Sequence, residues 1–186
     1  MNAFEHFLGK AALARHGSRT ALICGTQTLS YAELAAQVAR AANALRTLGV
    51  SPGDRVLLLM RDTPEFAAAW LGAVHAGAVA VALNTKLSEA EYRHIRADSG
   101  ARLAIVEDVF ALARPDLANE HMRDKSGAGS LVIAGKDTGQ APSWRDALTR
   151  AAPEATPVAA RASSITWPGS AGGCASCSTT TSAAAW

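Results

Sequence analysis

Apolar positions along the chain switch repeatedly between two periods, and most switches are marked by a residue that starts or stops a regular element. Thr20 to Cys24, TALIC, is a short apolar run of strand type, and QTLSY beginning at Gln27 reads as its hairpin partner. Ser30 and Glu33 have the spacing of a capping box, in which the hydroxyl accepts from the Glu33 amide and the Glu33 carboxylate accepts from the Ser30 amide. A helix is therefore predicted to start there. Leu34, Val38, Ala42, Leu45 and Leu48 follow at intervals of three or four and form one apolar stripe, and Gly49 supplies the stop.

The same alternation continues downstream. Ser51 to Asp54, SPGD, is a turn that delivers RVLLLM, a strand apolar almost throughout and so suited to a parallel sheet covered on both faces. Thr63 can cap the next helix, and Pro64 fits its first position because the missing amide would have had no partner. That helix is expected to end near Ala76 at a Gly77 stop, before the strand VAVAL, Val79 to Leu83. Ser88 and Glu91 repeat the capping box, the helix runs to Ser99, and Gly100 ends it. RLAIV, Arg102 to Val106, is the next strand. A helical stretch from Phe110 to Leu117, a polar loop around Asp124 to Gly129, a strand SLVIA and a short helix from Ser143 to about Ala151 complete the ordered part. Strands separated by helices of this length need crossover connections, so the predicted fold class is α/β, a mainly parallel sheet with flanking helices.

One segment changes the picture if misread. Phe66 to Leu83 is uncharged and just long enough to span a bilayer, but it consists mainly of Ala and Gly and carries His75 near its middle. The helix–stop–strand reading is preferred, with no membrane span. Composition then narrows the class: 186 residues, about half of them apolar, suffice for one domain with a core. A net charge of +2 with interspersed signs gives no basic stripe for a phosphate backbone, so nucleic acid is not an expected partner. The N-terminus lacks the succession of a secretory signal, and a cytoplasmic location is the expectation. Of three cysteines, Cys24 lies in the apolar run TALIC and is expected to be a buried, reduced thiol, so no disulfide framework is indicated.

Several residues invite a chemical reading and receive a structural one. GSLVIAGK, Gly129 to Lys136, has one residue too many between its glycines for a nucleotide loop and Asp137 where Ser or Thr would hold magnesium. His75 reads as a satisfied helix-end histidine rather than a general base. Asp62 and Glu65 could pair for acid–base work, yet a first-turn Glu beside a capping Thr is explained by the helix dipole. Arg93, His94 and Arg96 read as a solvated helix face. Cys174 and Cys177 have C-x-x-C spacing, but a structural zinc site needs two more ligands and none lies near in the sequence. No catalytic or metal-ligating residue is nominated, and no cofactor-binding residue is assigned.

The succession LSYAEL (Leu29 to Leu34), ALRTLGVSPGDRVLLLM (Ala44 to Met60), TPEF (Thr63 to Phe66) and LGAVHAGAVAVALNTKLSEAEYRHIRADSGARLAIVED (Leu71 to Asp108) resembles the N-terminal part of the AMP-forming acyl- and aryl-CoA synthetases, the adenylate-forming ligases. The likeness runs from about residue 5 to about residue 160, and DTPEF, ALNTKLS and APSWRDAL look closest to the branch that activates benzoate and other aromatic carboxylates. The resemblance implies ATP-dependent conversion of a carboxylate to an acyl-adenylate and pyrophosphate, then transfer of the acyl group to coenzyme A, with Mg²⁺ required. It also implies a loop of the type YSSGTTGxPKG that wraps the phosphates, due a little after PVAARA, Pro157 to Ala162.

At that point the composition changes. From Ala162 to Trp186 no residue is charged. GSAGG and STTTS supply glycines and hydroxyls, but no lysine follows Lys136 and the order does not reproduce the family's loop. The expectation is a partial α/β domain over residues 1–161 and an atypical tail over 162–186, arising from a frameshift or a misplaced boundary, that holds neither a phosphate nor a metal. On this reading the chain is a truncated and inactive member of a carboxylate–CoA ligase family that binds none of the family's cofactors. The alternatives are a non-catalytic module that binds a nucleotide or acyl ligand, and a non-functional pseudogene product.

Overall fold

The computed structural model describes residues 3–114, 130–136 and 141–154. Two short helices come first, α1 (Ala3–Leu8) and α2 (Lys10–His16). They are followed by a two-stranded antiparallel ribbon of β1 (Thr20–Cys24) and β2 (Gln27–Ser30) and the long helix α3 (Tyr31–Thr47). The α/β unit continues with β3 (Arg55–Leu59), α4 (Pro64–His75), β4 (Val79–Ala82), α5 (Glu89–Ser99), β5 (Leu103–Glu107) and α6 (Asp108–Ala113). Beyond these lie β6 (Ser130–Ala134) and α7 (Trp144–Arg150).

The four longer-range strands form one sheet in the order β4-β3-β5-β6, every pair parallel. Leu57 stands opposite Val81 on one side and Ala104 on the other, and Ala104 stands opposite Leu131. The unbroken apolar run in β3 is explained by this position, since a strand with neighbours on both edges and helices on both faces has no solvent side. Val56, Leu58, Ile105 and Val132 face α3, α4 and Trp144. Leu57, Leu59, Val106 and Ile133 alternate with them onto the opposite face, against Tyr92 of α5 and Ala111 of α6.

The helix starts are those read from the side chains. Both capping boxes are formed, with Ser30 N donating to Glu33 Oε2 at 2.8 Å and Ser88 N to Glu91 Oε2 at 2.8 Å. Phe66 N donates to Thr63 Oγ1 at 3.3 Å. The chain turns after α4 through Gly77 at φ 84°, a conformation in which a side chain would be strained.

Four expectations need correction. The strand predicted at 102–106 runs one residue later, Leu103–Glu107, because its pairing starts with Leu103 opposite Val56 and Ser130 and continues to Glu107 opposite Ala134 of β6. The helix expected from Phe110 begins at Asp108 and ends at Ala113, and the part beyond Arg114 lies outside the described residues. Cys24 is exposed, not buried, since the ribbon that carries it packs on the α1–α3 cluster through Ala21 and Leu22, near the start of β1, and leaves its far end, with Ile23 73% exposed, uncovered. The N-terminal segment, left without structure in the sequence reading, is helical, and Phe4 and Leu8 four positions apart bury themselves beside Leu34, Val38 and Ala68. The polar loop at 124–129, the tail from Ala162 and its two cysteines lie outside the described residues. Among the described residues no helix is long and apolar enough to cross a membrane.

Candidate functional site

The order of crossovers fixes where a crevice can open. The chain leaves β3 toward the face covered by α3, α4 and α7, and leaves β5 toward the face covered by α5 and α6. Adjacent parallel strands whose connections depart to opposite faces leave a gap beyond their carboxyl ends, which is where ligands bind in open α/β sheets. In this sheet the gap lies between Met60–Arg61, just past β3, and Glu107, the last residue of β5.

Glu107 and Arg61 close its inner end. Arg61 donates its backbone N–H to Glu107 Oε2 at 2.8 Å and its Nε–H to Glu107 Oε1 at 2.8 Å, and Nη2 completes the ion pair. Glu107 is 8% exposed, so its charge is tolerated through this set of donors. The carboxylate in turn raises the Arg61 pKa above its ordinary value, by hydrogen bonding first and by charge second.

Next to this pair, α3, α4 and α7 line an open-sided cavity of about 410 Å³. Its apolar wall is Ala41, Met60, Ala68, Ala69 and the ring of Trp144, and its polar wall includes Gln37, Arg40, Glu65, Glu107 and Arg145. The third helix is held in place from both ends. Ile133 N donates to Pro142 O at 2.9 Å just before α7, and Asn43 Nδ2 of α3 donates to Ala152 O and Glu154 O, each at 2.9 Å, just after it. Burial pushes the Glu65 carboxyl above the usual carboxylate range, Arg145 draws it back, and the charges of Glu107 and Asp108 add to the upward shift. Trp144 is fully buried, and its Nε1 has no hydrogen-bond partner among the described residues. A volume of this size with mixed apolar and polar walls suits a small ligand.

The residues weighed in the sequence are scattered. Asp62 and Glu65 are not brought together as a pair, since Asp62 lines a separate crevice toward Asn84 and Thr85 and Glu65 lines the cavity. His75 lies elsewhere, 2% exposed at the end of α4 and stacked on Phe4 with ring centroids 3.8 Å apart. The expectation that it is satisfied is corrected: neither ring nitrogen has a partner among the described residues, because the ring is sandwiched by α1 rather than turned to solvent. Arg93 pairs with Glu89 on the exposed side of α5. Residues 130–134 of GSLVIAGK are strand β6, and Lys136 N donates to Asp108 Oδ2 at 2.8 Å, so this stretch is no nucleotide loop. Among the described residues no group of three His, Cys, Asp or Glu side chains is placed to hold a metal ion. Sequence reasoning missed Arg61, Glu107, Trp144 and Arg145. The one available signal was a glutamate closing the otherwise apolar run LAIVE.

This sheet, with a crossover switch between β3 and β5, has many counterparts. A family model described as AMP-binding enzyme matches residues 9–166. The chain belongs to that family. It is 41% identical over 120 residues to a 3-hydroxybenzoate–CoA/4-hydroxybenzoate–CoA ligase of Thauera aromatica, covering 64% of this chain and 23% of the relative. It is 39% identical over 139 residues to a benzoate–CoA ligase of the same organism, covering 72% and 26%. The fold superposes on an anthranilate CoA ligase, AuaEII, solved with anthranoyl-AMP, with TM-score 0.75, 26% identity, and 86% of this chain and 30% of that one covered. A benzoate CoA ligase from Burkholderia xenovorans LB400 gives TM-score 0.70 at 33% identity, with 87% and 30% covered. The chain thus spans about a quarter of the length of the curated relatives it matches. The resemblance read from LSYAEL, TPEF and ALNTKLS is borne out, as is the leaning toward aromatic-acid ligases.

Proposed function

We propose that this chain forms the amino-terminal scaffold of an ATP-dependent, AMP-forming ligase that activates an aromatic carboxylic acid for transfer to coenzyme A, and that the 186-residue chain does not catalyse the reaction alone. The observation that carries the first half is the joint likeness, in sequence and in backbone, to ligases whose names specify benzoate, hydroxybenzoates and anthranilate. The second half rests on charge. Departing pyrophosphate needs cations and amide donors fixed where its charge develops, and no lysine follows Lys136 in the sequence. No ligand set for Mg²⁺ is assigned to the described residues, and no step through the metal is derived. Residues 1–161 are assigned the scaffold role and residues 162–186 no site.

Two assays test this. The purified chain with benzoate, 3-hydroxybenzoate or anthranilate is expected to show no carboxylate-dependent exchange of pyrophosphate into ATP, and clear exchange overturns the claim of inactivity. Residues 1–161 grafted in place of the matching segment of the Thauera hydroxybenzoate ligase are expected to leave that exchange in place. A folded but inactive chimaera removes the scaffold assignment.

A further inference from the structure

His75 is a titratable ring closed in by a short helix. It is 2% exposed and stacks on Phe4 of α1 with centroids 3.8 Å apart and planes at 29°, and neither ring nitrogen has a hydrogen-bond partner among the described residues. A neutral imidazole tolerates such a place, whereas an imidazolium carries two N–H donors and a charge that must be paired or hydrated. The charged groups around the ring do not meet that need. Glu5 of α1 and Lys10 of α2 line the cavity that His75 borders, Arg46 of α3 donates Nη2–H to His75 O at 3.3 Å, and Pro153 comes in from the segment after α7. Burial and the Arg46 charge disfavour the charged ring, and Glu5, which opposes them through space, bonds to neither nitrogen. The carboxyl end of α4 would attract a cation, but the Arg46 guanidinium already sits there. The cover over the ring is slight. α1 has six residues, too few turns to hold a helix alone, and is docked through Phe4 and Leu8. It meets α2 at Gly9, where an added Cβ would lie 2.3 Å from Glu5 O, so the joint is one that only glycine fits and that carries no side chain to resist rotation.

We propose that α1 is a pH-operated latch, closed over α3 and α4 while His75 is neutral and released by rotation at Gly9 when His75 takes up a proton, which uncovers Leu34, Val38 and Ala68. Solvent does not reach the ring nitrogens in the closed form, so the proton is bound in the open form and holds α1 there. The sign follows from the two environments. In the open form the ring titrates near its ordinary value, and in the closed form burial lowers it. Closure is therefore complete above about pH 6.5, and the released population grows as the pH falls below that, by up to about tenfold per pH unit, until the lowered value of the closed form is reached.

The test uses the full 186-residue chain with 4-fluorophenylalanine at its four phenylalanines, followed by fluorine-19 relaxation in the presence of a neutral, soluble gadolinium chelate. The Phe4 and Phe7 signals are identified from Phe4→Leu and Phe7→Leu spectra. At about pH 7.5 Phe4, 5% exposed, is expected to be shielded from the chelate, and Phe7, 59% exposed, to be relaxed by it. Between about pH 6.5 and about pH 5 the paramagnetic relaxation of Phe4 is expected to rise about threefold or more. Phe66 and Phe110, packed on opposite faces of the sheet, are expected to stay as they were. Relaxation is read rather than chemical shift, because a ring protonated in place would move the Phe4 shift without exposing it. His75→Gln, which takes up no proton, is expected to abolish the rise, and His6→Gln, on α1 itself, to leave it. Where His75→Gln leaves Phe4 exposed even at the upper pH, His75→Leu refills the site and serves the same purpose. The proposal is overturned if Phe4 stays shielded down to about pH 5, if the rise persists without His75, or if Phe66 and Phe110 share it.

Discussion

Replacing Gly72 by alanine sets two opposed terms against each other at the centre of the α3–α4 contact, and the structure decides the sign. In an isolated helix the change is favourable by about 1 kcal/mol, since glycine is the poorer helix former. Here a Cβ at position 72 would lie 2.5 Å from the Ala41 Cβ, 3.1 Å from Ala42 N and 3.2 Å from Ala41 C. Ordinary carbon contact begins near 3.5 Å, so the two helices must separate by roughly 1 Å. The obstacle is backbone and a methyl group with no rotamer to escape into, and Ala41 and Ala42 are both fully buried. Overpacking of this kind costs about 1–3 kcal/mol in measured cores, and a 2.5 Å approach to a fully buried methyl group belongs at the upper end. Set against the propensity gain of about 1 kcal/mol, Gly72→Ala is expected to destabilise the chain by about 1–2 kcal/mol in urea unfolding followed by far-UV circular dichroism. Ala41→Gly in the same background removes the clashing methyl, and the double-mutant cycle is expected to show a favourable coupling of about 1 kcal/mol or more. A Gly72→Ala chain as stable as the parent, or a coupling of zero, would refute the view that helix contact rather than local propensity keeps glycine at this position.

Two further outcomes follow from the caps and the buried imidazole. Thr63→Ala removes the acceptor for Phe66 N at the start of α4 and is expected to cost about 1 kcal/mol in the same unfolding assay, with Thr63→Ser restoring most of it. Burial holds the His75 pKa below its ordinary value, with the Arg46 charge adding to the effect and Glu5 opposing it. The unfolded chain therefore binds the proton more readily, so the contribution of His75 to stability is complete above about pH 6.5 and declines as the pH falls toward the lowered folded value, by at most about 1.4 kcal/mol per pH unit. His75→Leu is expected to flatten that part of the stability–pH curve relative to the parent, and parallel curves would show that the imidazole is not the group responsible.

What could be read from the sequence follows a physical boundary. Caps, stops and strand runs depend on residues a few positions apart, so Ser30–Glu33, Ser88–Glu91, Thr63–Pro64 and Gly77 announce themselves. The Arg61–Glu107 pair does not, because it joins residues 46 positions apart that meet through the parallel register of β3 on β5. Cys24 was misplaced for a related reason. Its apolar neighbours mark a strand, but which face of a two-stranded ribbon is covered depends on α3 packing beneath it. The N-terminal helices were missed because a six-residue and a seven-residue helix carry too few turns for a periodic signal, and they are held by Phe4 and Leu8 docking on α3 and α4.

The legible motifs also explain why likeness to a family does not by itself locate a reaction site in this chain. Each stretch that carries the likeness, from LSYAEL to the run ending in LAIVED, builds a helix start, a stop or a buried strand, and such features report a fold shared by enzymes of many specificities. The charged residues that do converge, Arg61 with Glu107 and Arg145 beside Glu65, sit at the crossover switch of the sheet, where backbone geometry opens a gap whatever reaction the rest of a protein performs. A ligase needs that scaffold to be rigid and needs its phosphate-neutralising groups supplied on top of it. The closed Arg61–Glu107 pair serves rigidity, tying the end of β5 to the chain leaving β3, and in that state Glu107 has little acceptor capacity left for catalysis.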